Sequence, residues 1–288
     1  MFTLTRLHRM VLALCLAAVI VPSASAAPTL HLVAFGDSND PKLGPKLADD
    51  AHNIVSAFTR SFERAGRANQ LRTHVLVGDD VTPARILATV ERLAVQPEDT
   101  LVILGSCHGD TDAQVQHRIT LHAGILYRHA LLAAMKAKKP RLAVLLTDCC
   151  SSHANGNPGI HVVPTYRPQE LPAGQTIDWR TLNCLFLSHA GVVDITAAEP
   201  GFRARVDRDR SGSLFTNALI RVLNTPYDRL IGGLDRDRDG NIQWDELLPQ
   251  LRGLAARYHE EQIGTAEQQA YAFKLGTWAP MVATLREK

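Results

Sequence analysis

Two short apolar runs, each ending in a reactive group, constrain this chain more than anything else in it. Thr100-Leu101-Val102-Ile103-Leu104 leads into Gly105-Ser106-Cys107-His108-Gly109-Asp110, and Leu142-Ala143-Val144-Leu145-Leu146 leads into Thr147-Asp148-Cys149-Cys150-Ser151-Ser152. Runs of Val, Ile and Leu bounded by polar turn residues read as strands buried on both faces of a parallel sheet. Between them, 123–136 reads as a helix, with Leu126, Ala130, Leu131 and Met135 at helical spacing. A strand–helix–strand crossover is right-handed and leaves its two strands parallel. Both carboxyl ends then share one edge, where open α/β sheets place their sites. His108 and one of the two vicinal cysteines are thereby expected near each other, although His108 and Cys150 stand 42 positions apart. A thiol within reach of an imidazole is a nucleophile with its base.

The same alternation extends outward. Strands are expected at 29–35, 73–77 and 183–188. Helices are expected at 47–65, with Ala51, Ile54, Val55, Phe58 and Phe62 on one stripe, at 82–94 behind Thr82-Pro83, and from 212 onward. Strands alternating with helices give a parallel sheet covered on both faces. The stretch 153–179, rich in Pro, Gly and Asn, is expected to be a long loop.

Residues 1–26 are expected to be a secretory leader. Arg6, His8 and Arg9 give a basic start, 10–21 an apolar core, and Ala24-Ser25-Ala26 a cleavage signal before Ala27. No later apolar run is long enough to span a bilayer. The mature protein is therefore expected in the periplasm or the medium, with no membrane contact after cleavage. The net charge of +2 without a basic block argues against nucleic acid as a partner. Without Cys15, the cysteines are Cys107, Cys149, Cys150 and Cys184. Vicinal cysteines pair poorly, so free thiols are expected, with a Cys107–Cys150 bridge the one pairing that adjacent strand ends suggest.

A second motif lies near the end. Asp235-Arg236-Asp237-Arg238-Asp239-Gly240-Asn241-Ile242-Gln243-Trp244-Asp245-Glu246 matches an EF-hand loop at every defining position. Ca²⁺ is the expected cofactor, held by Asp235, Asp237, Asp239, the Asn241 carbonyl, Gln243 and Glu246. The flanking helices are expected at 227–234 and 247–259. A second Asp-rich loop, 207–213, lacks the closing Glu because Ala218 stands at its twelfth position, and reads as a plain loop.

An apolar run ending in x-x-His-Gly, then another ending in Asp-x-Cys-x-Ser, resembles the caspase and metacaspase clan of cysteine peptidases. Ser106-Cys107-His108-Gly109 stands where metacaspases carry Ser-Gly-His-Gly, and Asp148-Cys149-Cys150-Ser151-Ser152 where they carry Asp-Ser-Cys-His-Ser-Gly. Cys107 replaces a glycine and Ser151 a histidine. Leu47-Ala48-Asp49-Asp50-Ala51 and Gly212-Ser213-Leu214-Phe215-Thr216 also resemble segments of caspase-like proteins, so the likeness spans 29–223.

The resemblance implies an α/β, three-layer caspase-like fold with a mostly parallel central sheet, plus a small C-terminal helical EF-hand segment. The divisions are a leader at 1–26, a peptidase domain at 27–225 and the EF-hand segment at 226–288. It implies a polypeptide substrate, Cys150 as nucleophile and His108 as base. Backbone N–H groups of Gly109 and Cys150 would face the scissile carbonyl oxygen. Asp148 would line a pocket for Arg or Lys before the scissile bond, with Asp37 a second acid there. The competing reading is a catalytically inactive caspase-like fold that binds calcium and partners.

Overall fold

The computed structural model describes residues 27–112, 116–153, 176–265 and 267–278. The expected leader at 1–26 and most of the expected loop at 153–179 lie outside these residues. The first apolar run is β1 (Leu30–Gly36), followed by helix α1 (Gly44–Arg64), β2 (Leu71–Leu76) and α2 (Pro83–Arg92), whose first turn Thr82 caps through Arg85 N–H. β3 (Thr100–Ser106) and β7 (Leu142–Asp148) are the two apolar runs that end in reactive groups. Between them lies a small antiparallel layer, β4 (His108–Thr111), β5 (His117–Leu121) and β6 (Gly124–Tyr127), before α3 (Arg128–Ala137). The helix expected over 123–136 thus starts late, because Leu126 belongs to the β5–β6 hairpin and pairs with Ile119.

β8 (Ser152–His153) pairs with β4, and β9 (Ala190–Thr196) joins β7. The expected strand at 183–188 is instead a π-helical turn, Asn183–Ser188. It lays Leu185 and Phe186 into the core ahead of the true strand, whose Gly191 and Asp194 hide it from an apolar-run reading. Helices α4 (Leu214–Leu223), α5 (Tyr227–Leu234) and α6 (Trp244–Ile263) precede β10 (Tyr271–Trp278).

The main sheet runs β10-β9-β7-β3-β1-β2, parallel except for β10. Strand residues alternate between two cores. Leu32, Ala34, Val102, Leu104, Val144 and Leu146 face α1, α4 and α6, while Val33, Phe35, Leu101, Ile103, Ala143 and Leu145 face α2 and α3. The division expected after residue 225 is not a structural one. Trp244, Leu247, Leu251 and Ala255 complete the first core, and β10 extends the sheet. A segment this apolar along one helix face must be buried against something, and the main sheet supplies the surface. No helix among the described residues is long and apolar enough to cross a membrane.

Candidate active site

The carboxyl ends of β1, β3 and β7 are in register, Gly36 against Ser106 against Asp148. The same offset resumes in the small layer, where Asp110 pairs with Ser152. The segments carrying His108 and Cys150 therefore lie side by side, while the two side chains bond elsewhere, His108 to Asp40 and the Cys150 thiol to Ala204 O. Side-chain alternation then sorts the strand-end groups onto two faces. Ser106 and Asp148 continue the α1/α4 face, while Cys107 and Cys149 continue the α2/α3 face.

His108 is half exposed, and its Nε2 donates to Asp40 Oδ2 at 2.9 Å. Asp40 lies in the turn after β1. Burial works to raise its carboxyl, but the N–H groups of Leu43 and Lys42 and the His108 imidazole hold it below the usual carboxylate value. With Nε2 so engaged, His108 keeps Nδ1 as its free acceptor. Cys150 is the one described cysteine that is not buried, and its thiol donates to Ala204 O at 3.5 Å. Desolvation pushes that thiol up to about 11. A methyl group on Gly109 would come within 2.5 Å of the Cys150 carbonyl oxygen, so only glycine lets the two chains approach this closely.

The thiol–imidazole contact among the described residues is made by Cys149, which sequence reasoning missed. Its Sγ lies 4.0 Å from His117 Nε2, itself 3.1 Å from Cys150 O. Both side chains are sealed, Cys149 at 1% and His117 at 4% exposure. That pair lies beneath the surface.

Asp148 does line up with a second acid, but not with Asp37. Its Oδ2 accepts from Thr216 N–H and Thr216 Oγ1, both at 2.9 Å, and burial together with the charge of Asp50 pushes its carboxyl well above the ordinary value. Asp50, on α1, is fully buried and takes hydrogen bonds from Ser106 Oγ at 2.5 Å, Ser213 N at 2.8 Å and Ser213 Oγ. Burial raises it to about 6, against those donors. Asp37 sits on the opposite face: its Oδ2 accepts from His122 N–H, and its neighbours in charge are Asp40, His122 and His108. Strand parity forces this separation, because Asp37 is one residue beyond Gly36 while Asp148 is level with it. The signal for Asp50 was present in Asp49-Asp50-Ala51, one α1 turn from the strand ends.

A caspase-domain family model matches residues 45–236. The chain belongs to the caspase-domain family. In this caspase-domain chain the match takes in His108, Cys150, Asp50 and Asp148, and the family is one of cysteine peptidases. A crystal structure of the Drosophila initiator caspase Dronc is similar at 12% identity with a TM-score of 0.44, over 86% of this chain and 80% of that one. No curated protein matches the chain.

At the sequence-expected metal loop, Asp235, Asp237 and Asp239 bring one carboxylate oxygen each within 4.8 Å of one another. Asp235 accepts from Asp239 and Gly240 N–H, and Arg238 and Gly240 take positive φ of 60° and 82° to close the turn. Asn241 donates its N–H to Asp239 Oδ1, and the Gln243 side chain donates to Asp237 Oδ2. Glu246 accepts from Arg236 N–H at 2.6 Å and Gln243 N–H at 3.0 Å. It is thus held against the loop backbone at the start of α6.

Proposed function

We propose that this protein is an exported cysteine endopeptidase that cuts after basic residues, with Cys150 as nucleophile, His108 as base and one calcium ion in the 235–246 loop. The observation that supports the peptidase reading is the shared register of β3 and β7, which brings the segments of the half-exposed His108 and of Cys150, the one unburied thiol among the described residues, to the edge where parallel sheets present their sites. A thiol at about 11 is unreactive alone, so attack requires the His108 Nδ1 to take its proton in reach of substrate. The proton then passes to the leaving amine. Gly109 and Cys150 N–H groups are the donors for the developing oxyanion. Incubation with reporter peptides ending in Arg, Lys or Asp tests this reading; cleavage of none of them would favour the inactive fold, to which the high Cys150 thiol lends support.

Asp40 is then a positioning residue that fixes the imidazole through Nε2. Asp40→Ala should lower kcat by roughly 10²-fold with little change in KM, since a general base out of place loses most of its effect. Steady-state kinetics check this, and an unchanged kcat would remove Asp40 from the role.

The basic preference rests on Asp50 and Asp148. Both are covered in this structure, and an entering guanidinium or ammonium would displace the Ser213 hydroxyl from Asp50.

The calcium reading rests on the donor set. The three clustered groups are all carboxylate oxygens, the ligand chemistry that a hard cation takes. When bound, calcium would neutralise their mutual repulsion. Against the Asp239 N–H bond, which lowers it, desolvation and then the charges of Asp239 and Glu246 push Asp237 above the ordinary carboxylate value. Glu246 would have to release the Arg236 and Gln243 N–H groups to join the ion. A lone loop of this kind sits near a Kd of about 10⁻³ M. About 10 mM calcium should then stabilise the fold by about 1.4 kcal/mol, a rise of roughly 3–6 °C in Tm. Glu246→Gln should shrink that rise. A Tm that is identical in chelator and in calcium would show this loop to be a charged turn only.

A further inference from the structure

The two thiols that point away from the candidate active site form a cluster of their own. Cys107 follows Ser106 on β3 and Cys149 follows its partner Asp148 on β7, and Cys107 N–H donates to Asp148 O at 3.2 Å. Neighbouring strands run about 4.8 Å apart, which is within the Cα separation of roughly 4.4–6.8 Å that a disulfide spans. Both side chains turn to the α2/α3 face, with 5% and 1% exposure, and pack into the same core cluster. Cys150 is excluded from this cluster, because it does not pack in the α2/α3 core and its thiol is held by Ala204 O. The Cys107–Cys150 bridge expected from sequence is therefore replaced by a Cys107–Cys149 pairing.

We propose that Cys107 and Cys149 are a peroxide-oxidised pair that closes to a reversible disulfide beneath the strand ends. The electrostatics agree with the geometry. Burial opposes ionisation of both, yet the neighbouring Cys107 thiol and the His117 imidazole hold Cys149 well below the ordinary thiol value, while burial keeps Cys107 above it. Cys149 is thus the thiol disposed to ionise and attack, and Cys107 the resolving thiol. The Cys149 sulfur attacks hydrogen peroxide, an S–O bond forms and the O–O bond breaks. Hydroxide leaves and takes up the proton that Cys149 had lost, giving water and a sulfenic acid. The Cys107 sulfur then attacks Cys149, the S–S bond forms, the S–O bond breaks, and the oxygen departs with the Cys107 proton as a second water. Two thiols lose two electrons and one peroxide gains them. Because the pair is sealed, the oxidant must be small, and a peroxide meets that condition. This assignment does not depend on which residue attacks a peptide bond.

The full chain carrying Cys150→Ala, treated with hydrogen peroxide, alkylated and digested, provides the test. The expected product joins the peptide holding Cys107 to that holding Cys149, two hydrogens lighter than the reduced pair and released by dithiothreitol. Cys149→Ala should give no such product, and Cys107→Ser should leave a sulfenic acid on Cys149 that dimedone traps. The wild-type chain gives the same information without reliance on any variant's folding, since fragmentation between Cys149 and Cys150 locates the link. Alkylated Cys107 and Cys149 after peroxide, or a link from Cys107 to Cys150, would overturn the proposal.

Discussion

Replacing Cys150 with alanine is expected to reduce peptide hydrolysis by at least about 10⁴-fold, and His108→Ala should do the same, since removal of either member of a nucleophile–base pair costs nearly as much as removal of both. Cys149→Ala should keep activity within roughly tenfold of wild type, its effect confined to the packing around a small buried side chain. The contrast follows from strand parity. Cys149 lies at 1% exposure on the α2/α3 face, sealed beside His117, whereas Cys150 is only partly buried, with its thiol on Ala204 O. The acidity of the two thiols argues in the other direction, since Cys149 is held low and Cys150 is pushed up to about 11. Access decides between them, because a thiolate that no carbonyl carbon can approach does not attack one. His108 then supplies the ionisation that Cys150 lacks, and the thiolate forms as the substrate is engaged. Measured kcat/KM for both alanine variants on one reporter peptide separates the two cysteines. A dead Cys149→Ala with an active Cys150→Ala would transfer the role to the Cys149–His117 pair.

How far the fold can be read in the sequence depends on how local each cue is. The runs at 100–104 and 142–146 announce two parallel central strands because nothing but a buried sheet accommodates them. Leu126 fits a helical spacing equally well, and only its pairing with Ile119 makes it a strand residue. β9 went unread because Asp194 interrupts it, and that carboxylate is buried only because Arg128, 66 residues away, donates to it. Such a pair is invisible to any window-based reading. The site shows the same division. His108, Gly109, Asp148 and Cys150 sit at strand ends that the runs themselves define. Asp40 and Asp50 come from a turn and a helix whose approach is set by packing, and Asp37 fell on the wrong face through a shift of one residue. Parity along 101–107 and 143–149 did contain the placement of Cys107 with Cys149, since both share the phase of Leu101, Ile103, Ala143 and Leu145.

Asp148→Asn should raise stability above neutral pH while erasing the preference for Arg and Lys. Asp50 and Asp148 are both buried and both raised, Asp148 well above the ordinary value and Asp50 to about 6. A carboxyl whose folded value lies above its unfolded one binds more protons in the folded state. The contribution to stability is therefore fully present below about pH 4; for Asp50 it is lost as pH rises through about 6, and for Asp148 it is lost in the same direction as the buried carboxyl is forced to ionise. Asparagine keeps one oxygen to accept from Thr216 N–H and Oγ1 and presents an amide towards the remaining carboxylate, so it removes the charge repulsion with little loss of hydrogen bonding. The variant and wild type should melt together near pH 4, and the variant should melt higher at pH 8. The same substitution leaves a bound guanidinium short of one counter-charge in a dry pocket, a loss of about 2–5 kcal/mol, so kcat/KM for Arg peptides should fall by at least roughly 30-fold while that for neutral residues holds. Thermal melts at the two pH values and a panel of reporter peptides read both effects from one protein. Equal melting temperatures at pH 8 with unchanged selectivity would mean that Asp148 is a neutral helix cap for α4, held by Thr216 and remote from any substrate.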